Sequence, residues 1–168
     1  MITFMKSFLQ ELEHESIGTR KMLALVPADK MDFKPHEKSM KLKDLATHIA
    51  ELPTWITMAI TTAELDFKAT PYSPKDCKNA DELLAYYDES AAEAKRLLSE
   101  NSDAILEDTW TLRDGDAIYM QLSKLETIRH SFCQLVHHRA QLGVYLRLLN
   151  IPIPGVYGPS ADEQQMGA

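Results

Sequence analysis

The chain has little cysteine, no excess of basic charge and no long apolar run, and each shortage removes a class of protein. Two cysteines in 168 residues, Cys77 and Cys133, form no CxxC pair and are too few for a disulfide framework. Eighteen Lys and Arg against twenty-five Asp and Glu leave a formal charge of -7. Nucleic-acid surfaces need clustered Lys and Arg, so a nucleic-acid partner is not expected. No window approaches the roughly 20 consecutive apolar residues of a membrane span, and no membrane partner is expected. The start, MITFMKSFLQELEHES, meets Glu11, Glu13 and Glu15 early and lacks the cationic opening and apolar core of a secretory signal. The cytoplasm is the expected location. There is no internal repeat, no Gly-rich phosphate loop, no dinucleotide fingerprint and no Ser-His-Asp set.

What the chain does have is helical periodicity. Its length suits one domain over residues 1–168. A first helix is expected from Thr3 to Val26, ended by Pro27, with Met5, Phe8, Leu12, Ser16, Thr19, Leu23 and Val26 in its inward row. A second is expected from Lys41 to Thr62, with Leu42, Leu45, Ile49, Leu52 and Ile56 inward and a bend at Pro53, whose ring crowds the preceding turn and removes a donor. A polar linker with Pro71 and Pro74 leads to Asn79, a cap for a third helix ending near Glu100. WTLRDGDAIYM reads as a small hairpin turning at Asp114-Gly115. The fourth helix is expected from Gln121 to Leu149, and the tail, with three prolines and three glycines, is expected to be irregular. The fold class that follows is all-α, a four-helix bundle with a small hairpin before the last helix.

The chemistry-bearing residues sit on the second and fourth helices. Ile128, Ser131, Leu135, His138, Leu142, Tyr145 and Leu149 follow one seam at 3-4 spacing, so His138 faces inward while His137 falls about 100° away on the shoulder. Gln134 lies one turn before His138 and borders the same seam, as does His130 a turn earlier. His48, followed by Glu51, flanks the inward stripe of the second helix. Ser16 and Thr19 put small hydroxyls in the middle of the first helix's row, which leaves room for a polar pocket. The spacing therefore permits one interior site from His48, Gln134 and His138. A hydrogen-bonded core histidine accounts for the same pattern, because a buried polar group left unpaired costs about 1–3 kcal/mol. His130 and His137 read as shoulder or surface residues, His14 and His36 as peripheral, and Cys133 as a packed thiol.

The stretches LKDLATHIAELPTWI, HHRAQLGVYLRLL and IPIPGVYGPSADE resemble the DinB-like proteins, relatives of the YfiT-type metal-dependent thiol transferases. The resemblance runs along the whole chain in order. It implies a four-helix bundle, often dimeric, holding a divalent metal, nickel or zinc, on one histidine of the second helix and two at H-x3-H spacing on the last. Carried over residue by residue, His48 matches the first ligand and His138 the last. The middle ligand falls on Gln134, where this chain departs from the pattern. A glutamine amide is a neutral oxygen donor and suits zinc or nickel less well than imidazole nitrogen. His130 and Glu51 are the alternatives for completing the set. Arg139 and Gln141 also match the recurring motif, with Gln141 near the seam and Arg139 expected to point outward and clamp the tail or a dimer partner. The resemblance implies a small-molecule substrate, such as a thiol, a homodimer, and either thiol transfer or hydrolysis. The alternative is a non-catalytic binding or stress-associated bundle with a degenerate site. No catalytic residue is assigned beyond Glu51 as a candidate base by position.

Overall fold

The computed structural model describes residues 2–165. Helix α1 spans Phe4–Leu23, α2 Leu42–Glu51, α3 Pro53–Thr61, α4 Ala80–Glu100, α5 Lys124–Leu148 and α6 Ala161–Gln165; strands β1, β2 and β3 span Glu64–Asp66, Thr109–Asp114 and Ala117–Ser123. Side chains at the helix starts capture the free amide groups that a helix leaves at that end. Thr3 accepts from Lys6 N and Asn79 from Glu82 N, while Ser123 and Glu126 form a reciprocal capping box. The α1 start gains a second cap from far away, since the Asp103 carboxylate accepts from Phe4 N and Met5 N at 2.9 Å each.

The expected second helix is two helices. Pro53 opens α3 and Leu52 joins it to α2 with helical dihedrals of φ -54° and ψ -33°. Proline at the first helical position loses no bond that the helix could have made. The chain therefore bends at this point and continues. Both pieces pack against α4 and α5, and α1 packs against the same two helices. The core has two centres. Leu23, Leu45, Ile49, Tyr87, Leu135 and Leu142 meet in one. Met5, Leu12, Ile56, Leu98, Ile128 and Phe132 meet in the other, where the Phe8 and Phe132 rings stack at 5.8 Å.

The fold is mostly helical but not all-α as expected. The hairpin turns at Gly115, whose φ of +57° favours glycine. It belongs to a mixed three-stranded sheet, ordered β1-β2-β3, in which β1 runs parallel to β2 and β2 antiparallel to β3. With three residues, Glu-Leu-Asp, β1 is too short and polar to show a strand period. Its place is set instead by Asp66, whose carboxylate accepts from Gly115 N and Lys68 N at 2.9 Å each. Under the sheet, Trp110 is fully buried and donates to Thr62 Oγ1 at 3.1 Å.

The tail runs back across α1 and α5. At Gly18 a Cβ atom would lie 2.7 Å from Val156 Cγ1, so only glycine allows the tail this close. The end is fastened by Asp162, which pairs with Arg147 and accepts from Ile153 N at 2.9 Å. No helix among the described residues is long and apolar enough to cross a membrane.

Candidate metal centre

His48 and His138 come together where α2 meets α5, with ring centroids 4.8 Å apart and planes at 79°. Both are half-buried, so the pair is not enclosed in the interior as expected, and a cleft opens on the His48 side of it. The cleft, about 220 Å³, is lined by His48, Leu52, Trp55, His130, Ser131 and Gln134. Ser131 is already committed, donating to Leu52 O at 2.8 Å.

Each imidazole is held from behind. His48 Nδ1 lies 2.7 Å from Glu51 Oε1, and Glu51 is only 5% exposed. The same oxygen accepts from the Tyr72 hydroxyl at 2.7 Å. Burial, and then the neighbouring Glu51 carboxylate, push the Tyr72 hydroxyl well above its usual range and keep it a donor. Glu51 therefore stands behind His48 and does not supply a third ligand in this arrangement. His138 Nδ1 faces Gln141 Oε1 at 3.0 Å and its Nε2 faces Gln134 Oε1 at 2.7 Å. Two amide oxygens ask for two N–H donors, and a neutral imidazole has one. Burial lowers the His138 pKa against the opposing Gln141 bond, and His48 and His137 add smaller lowering contributions, so the neutral ring is favoured. Turning the Gln134 amide over satisfies every partner. Gln134 then donates to His138 Nε2 and accepts from His130 Nε2, which lies 3.4 Å from the amide. Gln141 accepts from His138 and donates to His137 Nε2 at 3.0 Å.

This burial has a measurable consequence. An unfolded histidine takes its proton near pH 6.5, and folded His138 takes its own at lower pH. Between the two values the unfolded chain binds more protons, so this group's contribution to stability is present above about pH 6.5 and is lost as pH falls through the folded pKa. In metal-free protein the NMR titration midpoint of His138 is expected below 6.5; a midpoint above that value would contradict the burial argument.

Arg139 is the main correction. Expected outward, it is 3% exposed and lies against α1. Its Nη2 pairs with buried Glu15 Oε2 at 2.5 Å and donates to Tyr157 OH at 2.6 Å, and its Nη1 donates to Glu15 O and Thr19 Oγ1 at 3.1 Å each. Tyr157 in turn donates to the Glu15 carboxylate at 2.8 Å. The tail clamp is therefore real, but it is built inward. It also explains the hydroxyls of α1, which leave no open pocket: Thr19 receives Arg139, and Ser16 receives the Tyr87 hydroxyl at 3.0 Å. Cys133 is exposed and not packed, while His14, His36 and His137 are exposed as expected.

Two residues of the site escaped the sequence reading. Trp55 stands seven residues after His48, on the same helical face, and that spacing could have found it. Tyr72 lies in the linker, where no periodicity exists to mark it.

The fold and site together define a mostly helical protein with a facing histidine pair between the second and fifth helices. The family model described as DinB family matches residues 1–167, and the chain belongs to that family. Solved structures share the fold. A DinB-like protein from Bacillus subtilis is 14% identical with a TM-score of 0.69, over 89% of this chain and 97% of that one. A DinB-like protein from Bacillus cereus is 21% identical with a TM-score of 0.69, over 90% and 97%. A mycothiol-dependent maleylpyruvate isomerase is 17% identical with a TM-score of 0.58, over 85% of this chain and 64% of that one. No curated protein matches the chain.

The donor set departs from a three-histidine centre. No three His, Cys, Asp or Glu side chains converge among the described residues, because the third position is Gln134. These residues fit a divalent ion held by two imidazole nitrogens and one neutral oxygen once the Gln134 amide turns its N–H away from His138 Nε2 and presents its oxygen instead. The orientation of each ring by an acceptor on Nδ1 is the arrangement that metal-ligating histidines use.

Proposed function

We propose that the protein is a metal-dependent enzyme acting on a small thiol or on water, by thiol transfer or hydrolysis, with nickel or zinc held by His48, His138 and Gln134. The observation that carries this reading is the pair of imidazoles, 4.8 Å apart, each with its Nδ1 occupied from behind by Glu51 or Gln141. Nε2 of His48 has no partner among the described residues. A bound divalent ion supplies a site that holds a thiol as thiolate or lowers the pKa of water toward neutrality. Around it, Glu51 and Gln141 fix the imidazoles, while Leu52 and Trp55 form an apolar wall that keeps water from one side. A cleft of about 220 Å³ is smaller than the roughly 300–1,000 Å³ of drug-sized sites, so it takes the reacting end of a small molecule. One structural neighbour is named as a thiol-dependent isomerase, which supports thiol chemistry over other uses of such a centre.

In this reading α1, the bent α2–α3 pair, α4 and α5 are the four rods of a bundle. The chain is one domain working in the cytoplasm as a homodimer, without nucleic-acid or membrane partners. Val144, Leu148 and Tyr157 are apolar, exposed and border one groove, which supports a self-association face.

Protein purified without a histidine tag is expected to bind Ni2+ or Zn2+ in calorimetric titration, and His48→Ala and His138→Ala are each expected to abolish that binding. Unchanged binding in both variants would sink the assignment. A second reading, a non-catalytic bundle with a degenerate site, is favoured by one contact: the Gln134 amide, 2.7 Å from His138 Nε2, already satisfies that nitrogen. Under it the melting temperature does not respond to EDTA, whereas a resident ion bound only by the native state raises it.

A further inference from the structure

Tyr72 is placed in an unusual way. It comes from the connection between β1 and α4, outside every helix and strand, and is 58% exposed. A ring so exposed is not held by packing. Its inward contact is the hydroxyl, which donates to Glu51 Oε1 at 2.7 Å. The far end of the connection is fastened separately. Cys77 is 1% exposed, Lys78 N donates to Glu82 Oε2 at 2.9 Å, Lys43 pairs with Asp76 at 3.1 Å, and Lys75 lies over the Tyr86 ring at 4.6 Å. The loop is therefore fixed beyond Tyr72 whether or not the hydroxyl bonds, and that bond is free to serve Glu51.

Glu51 Oε1 takes two hydrogen bonds, one from Tyr72 and one at His48 Nδ1, 2.7 Å away. A carboxylate bonded on one side by imidazole alone can swing about its χ angles. A second donor on the same oxygen restricts it to the rotamer that faces the ring. We propose that Tyr72 is a positioning residue for the metal centre: its hydroxyl holds Glu51 so that His48 keeps its proton on Nδ1 and presents an unprotonated Nε2 to the ion. The metal arm rests on the reading above, and the tautomer arm stands without it.

Tyr72→Phe removes the hydroxyl and keeps the ring. At pH 8 in metal-free wild type, nitrogen NMR is expected to show His48 as a single Nδ1–H tautomer. In Tyr72→Phe a mixture of both tautomers is expected, as in Glu51→Gln. Ni2+ affinity measured by calorimetry is expected to weaken about 10-fold, within the range for partners that orient a ligand, with the metal-free melting temperature unchanged. A His48 tautomer unaltered in Tyr72→Phe overturns the proposal, and so does a fall in melting temperature without a tautomer change, which would make Tyr72 a loop fastener. If the wild type takes up no Ni2+, the metal reading fails and the NMR comparison still decides the role of Tyr72.

Discussion

Arg139→Ala is expected to remove about 3–5 kcal/mol of stability, the cost of leaving a buried charge without its partner. Glu15 is as buried as Arg139, each about 3% exposed, and no water can replace the lost guanidinium cheaply. For a chain of this size the melting temperature should fall by roughly 6–20 °C. Exposed pairs set the contrast. Arg96 bonds Glu93 at 2.6 Å, but both side chains are nearly half-exposed, and such a pair contributes about 0–1 kcal/mol. The loss should also loosen the tail, because Tyr157 bonds both Arg139 and Glu15. Hydrogen exchange over residues 151–160 should quicken. The double substitution Arg139→Met with Glu15→Leu should recover much of the loss, since a buried pair replaced whole by apolar residues is often neutral. A loss below about 1 kcal/mol for Arg139→Ala, measured by denaturant titration, would refute the uncompensated-charge argument.

The second large effect is a gain. Gln134→His is expected to tighten Ni2+ or Zn2+ binding by about a hundredfold or more. Partners that only orient a ligand are worth 10–100-fold, and a directly bound imidazole in place of an amide oxygen should reach at least the top of that range. The substitution creates H-x3-H spacing with His138 on one face of α5, opposite His48. At a metal concentration a hundred times Kd the native state gains about 2.7 kcal/mol, which is roughly 5–11 °C in melting temperature. The metal-free variant should melt close to wild type, because the side chain at position 134 is only half-buried. An affinity equal to wild type would mean that no ion sits beside position 134.

Much of the architecture is legible because it rests on local rules. Asn79 and Ser123 cap the helices they precede, Pro53 divides the second helical stretch, and Asp114-Gly115 turns a hairpin. Each depends on a few neighbouring residues. The inward rows follow from periodicity in the same way: Leu42, Leu45, Ile49, Leu52 and Ile56 are all buried. The errors share a different origin. β1 is three residues long and is held by Asp66 and by β2, which is forty-odd residues away along the chain. Tyr72 reaches Glu51 across twenty-one positions from a linker with no repeating pattern.

Arg139 shows where the boundary lies. The chain by itself determines where its helices start and stop, and that His138 and its neighbours share a seam, because spacing at 3.6 residues per turn is a property of one helix. It does not determine how wide an arc of that helix is covered. α5 touches α2 and α3 on one side and α1 on another, so the arc reaches round to position 139 and buries an arginine opposite Glu15. His138, at the centre of the seam, stays half-buried with its ring 4.8 Å from that of His48. Which polar residue becomes a buried ion pair and which a candidate ligand depends on the helix that lies opposite, and only the tertiary structure decides that.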